Sequence, residues 1–170
     1  MSTKKHDLSV YISSTSNDLK RYRAELIDAL EKMETRLVCM EKYVAASKSP
    51  IEQCLEDVSN CDIYVGIFGR CYGDIPEGYY KSFTELEYRK AIDLKIPTLI
   101  FTLDENVCLP DEYCGDAQDE SRINELRSKL KLVTTCNFFT DPQDLAIKVM
   151  TAVGKYQRPP DGQQKEEQGL

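Results

Sequence analysis

The sequence predicts an α/β fold: a three-layer, flavodoxin-like or Rossmann-like sandwich around a central parallel sheet of about five strands. Three observations predict it. Short apolar runs alternate with amphipathic segments along the chain, as strand–helix repeats do. The runs, such as "DIYVGIFG" and "PTLIFTL", are apolar nearly end to end rather than at every second residue, so both faces of these strands are covered. And 170 residues, 41% hydrophobic and 30% charged, suffice for one domain with a sizeable core.

The elements follow in order. "LSVYIS" (8–13) is rich in β-formers and reads as the first strand. After a Ser/Thr/Asn/Asp cluster, Leu19, Tyr22, Leu26, Ala29, Leu30 and Met33 recur at helical spacing. "RLVCM" (36–40) is the second strand. "SPIEQCLEDVSNC" (49–61) is the second helix, with Ser49 as cap and Pro50 at its first position. "DIYVGIFG" (62–69) is the third strand. "SFTELEYRKAIDLKIPTLIF" (82–101) supplies the third helix and runs into the fourth strand. A polar loop leads to a helix near "SRINELRSKLK", a fifth strand at "VTTCNFF" and a last helix opened by "DPQDLAIKVM". One domain is expected over 8–156. Residues 1–7 are expected to be flexible, and 157–170, without apolar periodicity, to be a disordered polar tail.

Composition narrows the function. The net charge of −7 and pI near 4.9 argue against binding to a nucleic-acid backbone or an anionic membrane surface. No apolar run approaches the ~20 residues that span a bilayer. "MSTKKHDLSV" has no apolar h-region, so a cytoplasmic location is expected. The 7 cysteines lack Cys-x-x-Cys spacing and read as reduced, mostly core residues. The one histidine, His6, lies in the N-terminal segment, which removes imidazole-dependent nucleophilic catalysis and His-ligated metal chemistry. No metal is expected and no cofactor is required, and any chemistry falls to carboxylates, hydroxyls, backbone amides or a cofactor.

In sheets of this kind ligands sit at the carboxyl ends of the strands, at the point where strand order reverses. Ser13 and Ser14 end the first strand, before a helix start whose free N–H groups suit a phosphate. Asp18 there reads as a helix cap. The loop "GIFGRCYGD" is neither a GxGxxG nor a P-loop. Its Gly69 suits close backbone approach to a ligand and Tyr72 suits stacking. Arg70 suits either a phosphate or pairing with a carboxylate such as Glu87. Asp62, at the amino edge, reads as structural, and Tyr79 and Tyr80 as lid or surface. Ser82 and Glu85 match a capping box, and Glu85 precedes Arg89 by four residues, an ion-pair spacing. Glu87 has no such explanation. On a helical wheel it falls between Phe83, Ala91 and Leu94, an apolar face where a carboxylate is costly to bury unless bonded. It reads either as a site carboxylate or as a rim glutamate reaching water.

Three blocks, "VYISSTSNDLKRYRAEL", "CDIYVGIFGRCYG" and "SFTELEYRKAIDLKIPTLIF", resemble a family of domains of unknown function found at the N-termini of STAND-type NTPases, including NACHT–WD-repeat proteins, and in bacterial relatives. That family is similar to TIR domains and to nucleoside 2-deoxyribosyltransferases. In the transferases a Thr precedes the catalytic Glu by three residues, an Ala follows four later, and a Pro stands before the next strand. Thr84, Glu87, Ala91 and Pro97 match that order. Lys81, Ser82 and Phe83 depart from the Asp and Gly that precede the Thr, Arg89 stands where the pattern has Gly, and the Trp-Cys of TIR domains is missing. The resemblance implies a TIR-like signalling or effector domain with a nucleotide-binding cleft. Glu87 would cleave the N-glycosidic bond of NAD or a related nucleotide, and Ser13, Ser14, Gly69, Arg70, Tyr72, Ser82 and Thr84 would line the cleft. Glu87 is then expected within ~10 Å of Ser13, so that one small ligand touches both. The implied partners are a nucleotide, a second copy of the chain, or STAND modules of the same protein. The alternative is a non-catalytic protein-interaction module.

Overall fold

Five strands pair, all in parallel, in the order β2-β1-β3-β4-β5. The structure is a computed structural model that describes residues 7–110 and 115–157. The strands are β1 (Ser9–Ser13), β2 (Arg36–Val38), β3 (Ile63–Phe68), β4 (Thr98–Leu103) and β5 (Cys136–Phe139). Between and after them run α1 (Lys20–Glu31), α2 (Pro50–Ser59), α3 (Phe83–Asp93), α4 (Ala117–Val133) and α5 (Pro142–Gly154), with a 3-10 turn at Met40–Lys42. This is the flavodoxin-like order, and its reversal point lies between β1 and β3.

Alternation along the strands divides the core in two. Val10 and Ile12 of β1, with Ile63, Val65 and Ile67 of β3, pack against Leu26 and Leu30 of α1 and Leu145 and Val149 of α5. Tyr11 of β1 and Tyr64 and Phe68 of β3 face the other way, with Val58 of α2, Ala91 of α3 and Ile123, Leu126 and Leu130 of α4. Helices therefore cover both faces, and the backbone polar groups of the buried strands are used up in the ladder.

Element boundaries shift from the sequence expectations for local reasons. α1 starts at Lys20 after Leu19, with no side-chain cap. Asp18, expected to cap it, points elsewhere, as described below. α4 is longer than expected at both ends, because Asp116 accepts from the amides of Gln118 and Asp119 and starts the helix early. The helix runs through Val133, and β5 begins only at Cys136. α2 forms as read, with a complete capping box between Ser49 and Glu52 and Pro50 in the first turn. Cys39, Cys54, Cys61, Cys108 and Cys136 are free thiols. The expectations for His6, Cys114, nearly all of 1–7 and nearly all of 157–170 fall outside the described residues.

Candidate functional site

β1 ends at the reversal point, and two consecutive serines there face opposite helical layers. Ser13 points under α3 and Ser14 toward α1. Ser13 Oγ donates to Glu87 Oε2. Tyr11, on the same face of β1 as Ser13, donates its hydroxyl to Glu87 Oε1 at 3.0 Å. Glu87 is only 6% exposed, so its carboxylate is bonded on both oxygens inside the protein rather than reaching water from the rim. Thr84, also buried, lies one turn earlier on the same face of α3. The expected proximity of Glu87 to Ser13 is thus direct contact.

The buried set extends around the carboxylate. The Tyr11 ring stacks on Tyr64 with centroids 6.2 Å apart. Tyr64 lies along β3 over Gly66, where a β-carbon would meet its ring edge at 2.8 Å. Its hydroxyl is beside Ser13 yet meets no partner at hydrogen-bonding geometry. The Tyr11 hydroxyl also stands 3.4 Å from that of Tyr43, which donates to Cys54 Sγ at 3.8 Å. Burial raises the pKa of Glu87 above the ordinary carboxylate range; the hydroxyls of Ser13 and Tyr11, the Cys54 thiol and the charge of Arg23 oppose this without cancelling it. Burial also pushes the Cys54 thiol up to about 11, aided by the negative charge of Glu87.

α3 buries both of its glutamates, for different reasons. The helix turns Thr84, Glu85, Glu87 and Ala91 inward, whereas Leu94, expected on the apolar face, is exposed. Ser82 Oγ accepts from the Glu85 amide at 3.3 Å. The other half of the expected capping box is relayed: Tyr72 Oη accepts from the Ser82 amide at 3.2 Å and donates to Glu85 at 2.6 Å. Arg89 adds a bond to Glu85 at 2.9 Å through Nε. Burial works to raise the pKa of Glu85, and Tyr72, Arg89 and Lys81 outweigh it, holding the carboxyl below its ordinary value.

Four residues expected to line the cleft are therefore engaged in the scaffold. Tyr72 is buried at the start of α3, with the Arg122 guanidinium 5.6 Å from its ring centroid, and offers no stacking face to a ligand at Glu87. Ser82 is fully buried as the α3 cap. Arg70 does not pair with Glu87. Its Nη2 donates to the carbonyls of Asp104, Glu105 and Val107 at 2.9, 2.9 and 3.1 Å, tying the loop after β3 to the loop after β4. Gly69 approaches a side chain of the protein rather than a ligand: a β-carbon there would collide with the Asp18 carboxylate. Asp18 Oδ2 accepts from the amides of Arg70 and Cys71 at 2.9 and 3.0 Å, and Arg127 Nη1 donates to the Gly69 carbonyl at 2.9 Å. The backbone donors that suit a phosphate in this loop are filled by an internal carboxylate. Asp62, read as structural, accepts from the Ser9 amide at 2.8 Å at the amino edge.

Two residues escaped the sequence reading. Tyr11 has no role in the sequence reading beyond its place in the first strand, although its parity with Ser13 puts two hydroxyls on one face. Arg23 has no role in the sequence reading either, although it stands four residues after Leu19 and three before Leu26, on the apolar stripe. The same wheel test that flagged Glu87 flags it. Arg23 is 2% exposed. Nη1 donates to Ser14 Oγ at 2.7 Å, and Nε and Nη2 fork onto Glu41 at 2.6 and 2.7 Å.

Two surface pockets lie elsewhere, against α3 and α4, and share Glu85, Leu126 and Lys129. Among the described residues no group of three or more His, Cys, Asp or Glu side chains is placed to hold a metal. No helix of the described residues is long and apolar enough to cross a membrane.

Comparisons with known proteins bear on the fold and the family. A chain from a solved structure, that of the activated Roq1 resistosome directly recognizing the pathogen effector XopQ (TIR domains), superimposes with a TM-score of 0.61 at 12% identity, covering 86% of this chain and 99% of that one. At that identity the likeness is one of fold, and the fold is TIR-like. No curated protein matches the sequence. Residues 9–154 match the domain of unknown function designated DUF4062, and the chain belongs to that family.

Proposed function

We propose that this is a TIR-like signalling or effector domain whose carboxyl-edge site at β1 and β3 takes a nucleotide, with Glu87 acting on its ribose. The observation that carries the reading is the buried Glu87 carboxylate, held by Tyr11 and Ser13 at the strand-order reversal, where a ligand of this fold sits. Cleavage of an N-glycosidic bond moves the bonding pair from the anomeric carbon to the departing base and leaves positive charge on the sugar. An ionised Glu87, poorly solvated and with its pKa raised, stabilises that charge or bonds to it. Water then supplies the hydroxyl at the anomeric carbon and releases a proton. Nicotinamide suits the site because its nitrogen is cationic while bonded and neutral once free, so no acid has to protonate it. The chemistry needs no histidine, in keeping with the sequence.

Incubation of the purified chain with NAD, NADP and nucleosides, with chromatographic detection of the free base, tests the proposal. Release of base from one of them is expected. Intact substrates throughout would overturn the catalytic reading.

A second reading, a protein-interaction module, is favoured by a different observation. Leu132 (86% exposed) and Val133 end α4, and Phe138 lies exposed on the edge strand β5. Large apolar side chains left in water at a sheet edge suit association with another protein. Light scattering of wild type and Leu132→Asp distinguishes it, with a concentration-dependent oligomer lost in the variant.

A further inference from the structure

We propose that Arg23 is the anion-binding residue of this site and that Glu41 is its displaceable internal counter-ion, so that the pyrophosphate group of a ligand binds by taking Glu41's place. The inference deepens the nucleotide reading and rests on it for the position of the ligand.

The two halves of the Arg23–Glu41 pair are unequal. Arg23 is buried on α1, and its backbone amide is bonded to Leu19 O at 2.8 Å. Glu41 is 41% exposed in its side chain and belongs to the three-residue turn Met40–Lys42. From Val44 to Ser49 the following segment is exposed and irregular. Side chains anchor this stretch: Lys42 to Glu31 at 2.6 Å, Tyr43 to Tyr11 and Cys54, and Lys48 to Glu56. A buried guanidinium requires an anion, because removing its partner leaves an uncompensated charge. It does not require this anion. Its fork bonds a carboxylate and a phosphate with the same two-point geometry.

Placement gives the exchange its purpose. Ser13 serves Glu87 and Ser14 serves Arg23, so the carboxylate and the guanidinium flank the end of β1 from opposite sides. The two charges feel one another. A ligand lying across this edge meets Glu87 with its ribose and Arg23 with its phosphates. The loop after β3 cannot serve them, since Asp18 occupies its amides. Tyr43, whose hydroxyl stands 3.4 Å from that of Tyr11, directly follows the turn that carries Glu41.

Titration calorimetry with inorganic pyrophosphate tests this on wild type, Glu41→Gln and the double variant Arg23→Lys, Glu41→Gln, each checked for folding by thermal unfolding. Glu41→Gln is expected to bind about tenfold tighter than wild type, because the competing carboxylate is gone. The double variant is expected to lose that gain with the fork. Equal affinity in wild type and Glu41→Gln would overturn the proposal. Should Glu41→Gln fold poorly, hydrogen exchange on the wild type decides: pyrophosphate should speed exchange of the amides at 40–46, and unchanged exchange at saturating pyrophosphate would overturn it. Tighter pyrophosphate binding without any nucleotide cleavage would keep this inference and remove the catalytic one. Cleavage with unaltered pyrophosphate affinity would do the reverse.

Discussion

Glu85 and Glu87 stand two residues apart on α3, both buried, and their surroundings set opposite proton affinities. Glu85 meets two cations and a phenol and is held below its ordinary pKa; Glu87 meets hydroxyls and a thiol, with Arg23 further off, and is pushed above it. The consequence for stability has a definite sign. A carboxyl whose folded pKa is raised binds more protons folded than unfolded, so its contribution falls as pH rises from the ordinary value of 4.5 through the raised one. The groups facing Glu87 are Tyr11 and Ser13 from β1, Cys54 from α2 and Arg23 from α1, and none of them is an acid that titrates in that window. Glu87→Gln should therefore gain melting temperature relative to wild type as pH rises above the ordinary value of 4.5; a difference that stays flat would contradict the burial argument. Tyr72→Phe should cost about 1–2 kcal/mol in denaturant unfolding, because the Ser82 amide and Glu85 each lose a buried partner. A cost near zero would mean that the relay is not a working part of the cap. Glu87 was legible because one charge broke an apolar stripe. Tyr11 and Arg23 carry equally readable signals in strand parity and helical spacing, but an aromatic in a strand and a cation in a helix raise no conflict until such positions are tested one by one. What the sequence could not supply is the choice of partners: Arg70 was free to take a phosphate or Glu87, and only the loop after β4 decides that it takes carbonyls.

At the scale of elements, polar side chains tie together the loops after β1, β3 and β4. Asp18 spans from the first loop to the second, Arg127 fixes Gly69 O and Leu103 O, and Arg70 reaches the third. Asp18→Ala should destabilise by about 1–3 kcal/mol by leaving the Arg70 and Cys71 amides without their acceptor. Gly69→Ala should cost about 1–3 kcal/mol through overpacking, since its β-carbon meets Asp18 first and the Leu19 side chain next, at 3.1 Å. The two costs should not add. In an Asp18→Ala background the alanine at 69 loses its worst clash, so in a double-mutant cycle the double variant should be destabilised by less than the sum of the two single costs, by ~0.5 kcal/mol or more. Strict additivity would mean that the carboxylate moves aside at little cost. Gly73 plays a related part, with φ of +89° and the Thr15 methyl 2.8 Å from where a β-carbon would stand. Gly69 was legible as a close-approach position. That the approaching group is another loop of the same chain was not, because loop-to-loop contacts leave no periodicity to read.

The whole molecule was the most legible level, because continuous apolar strands separated by amphipathic helices leave few parallel-sheet arrangements. The order β2-β1-β3-β4-β5 puts β1 and β3 side by side at the centre, which brings Ser13, Arg23 and Glu87, far apart in sequence, to one sheet edge. The carboxylate reading therefore depends on the fold for its position and on single residues for its chemistry, and one comparison separates the two. Wild type, Glu87→Gln and Glu85→Gln are assayed for release of base from NAD and related nucleotides at matched folded fraction. The account predicts that Glu87→Gln loses activity by about 100-fold or more, as removal of a charge opposite a cationic transition state does, while Glu85→Gln retains it within a few-fold. Equal losses in the two variants, or turnover in Glu87→Gln at the wild-type rate, would contradict the assignment of Glu87.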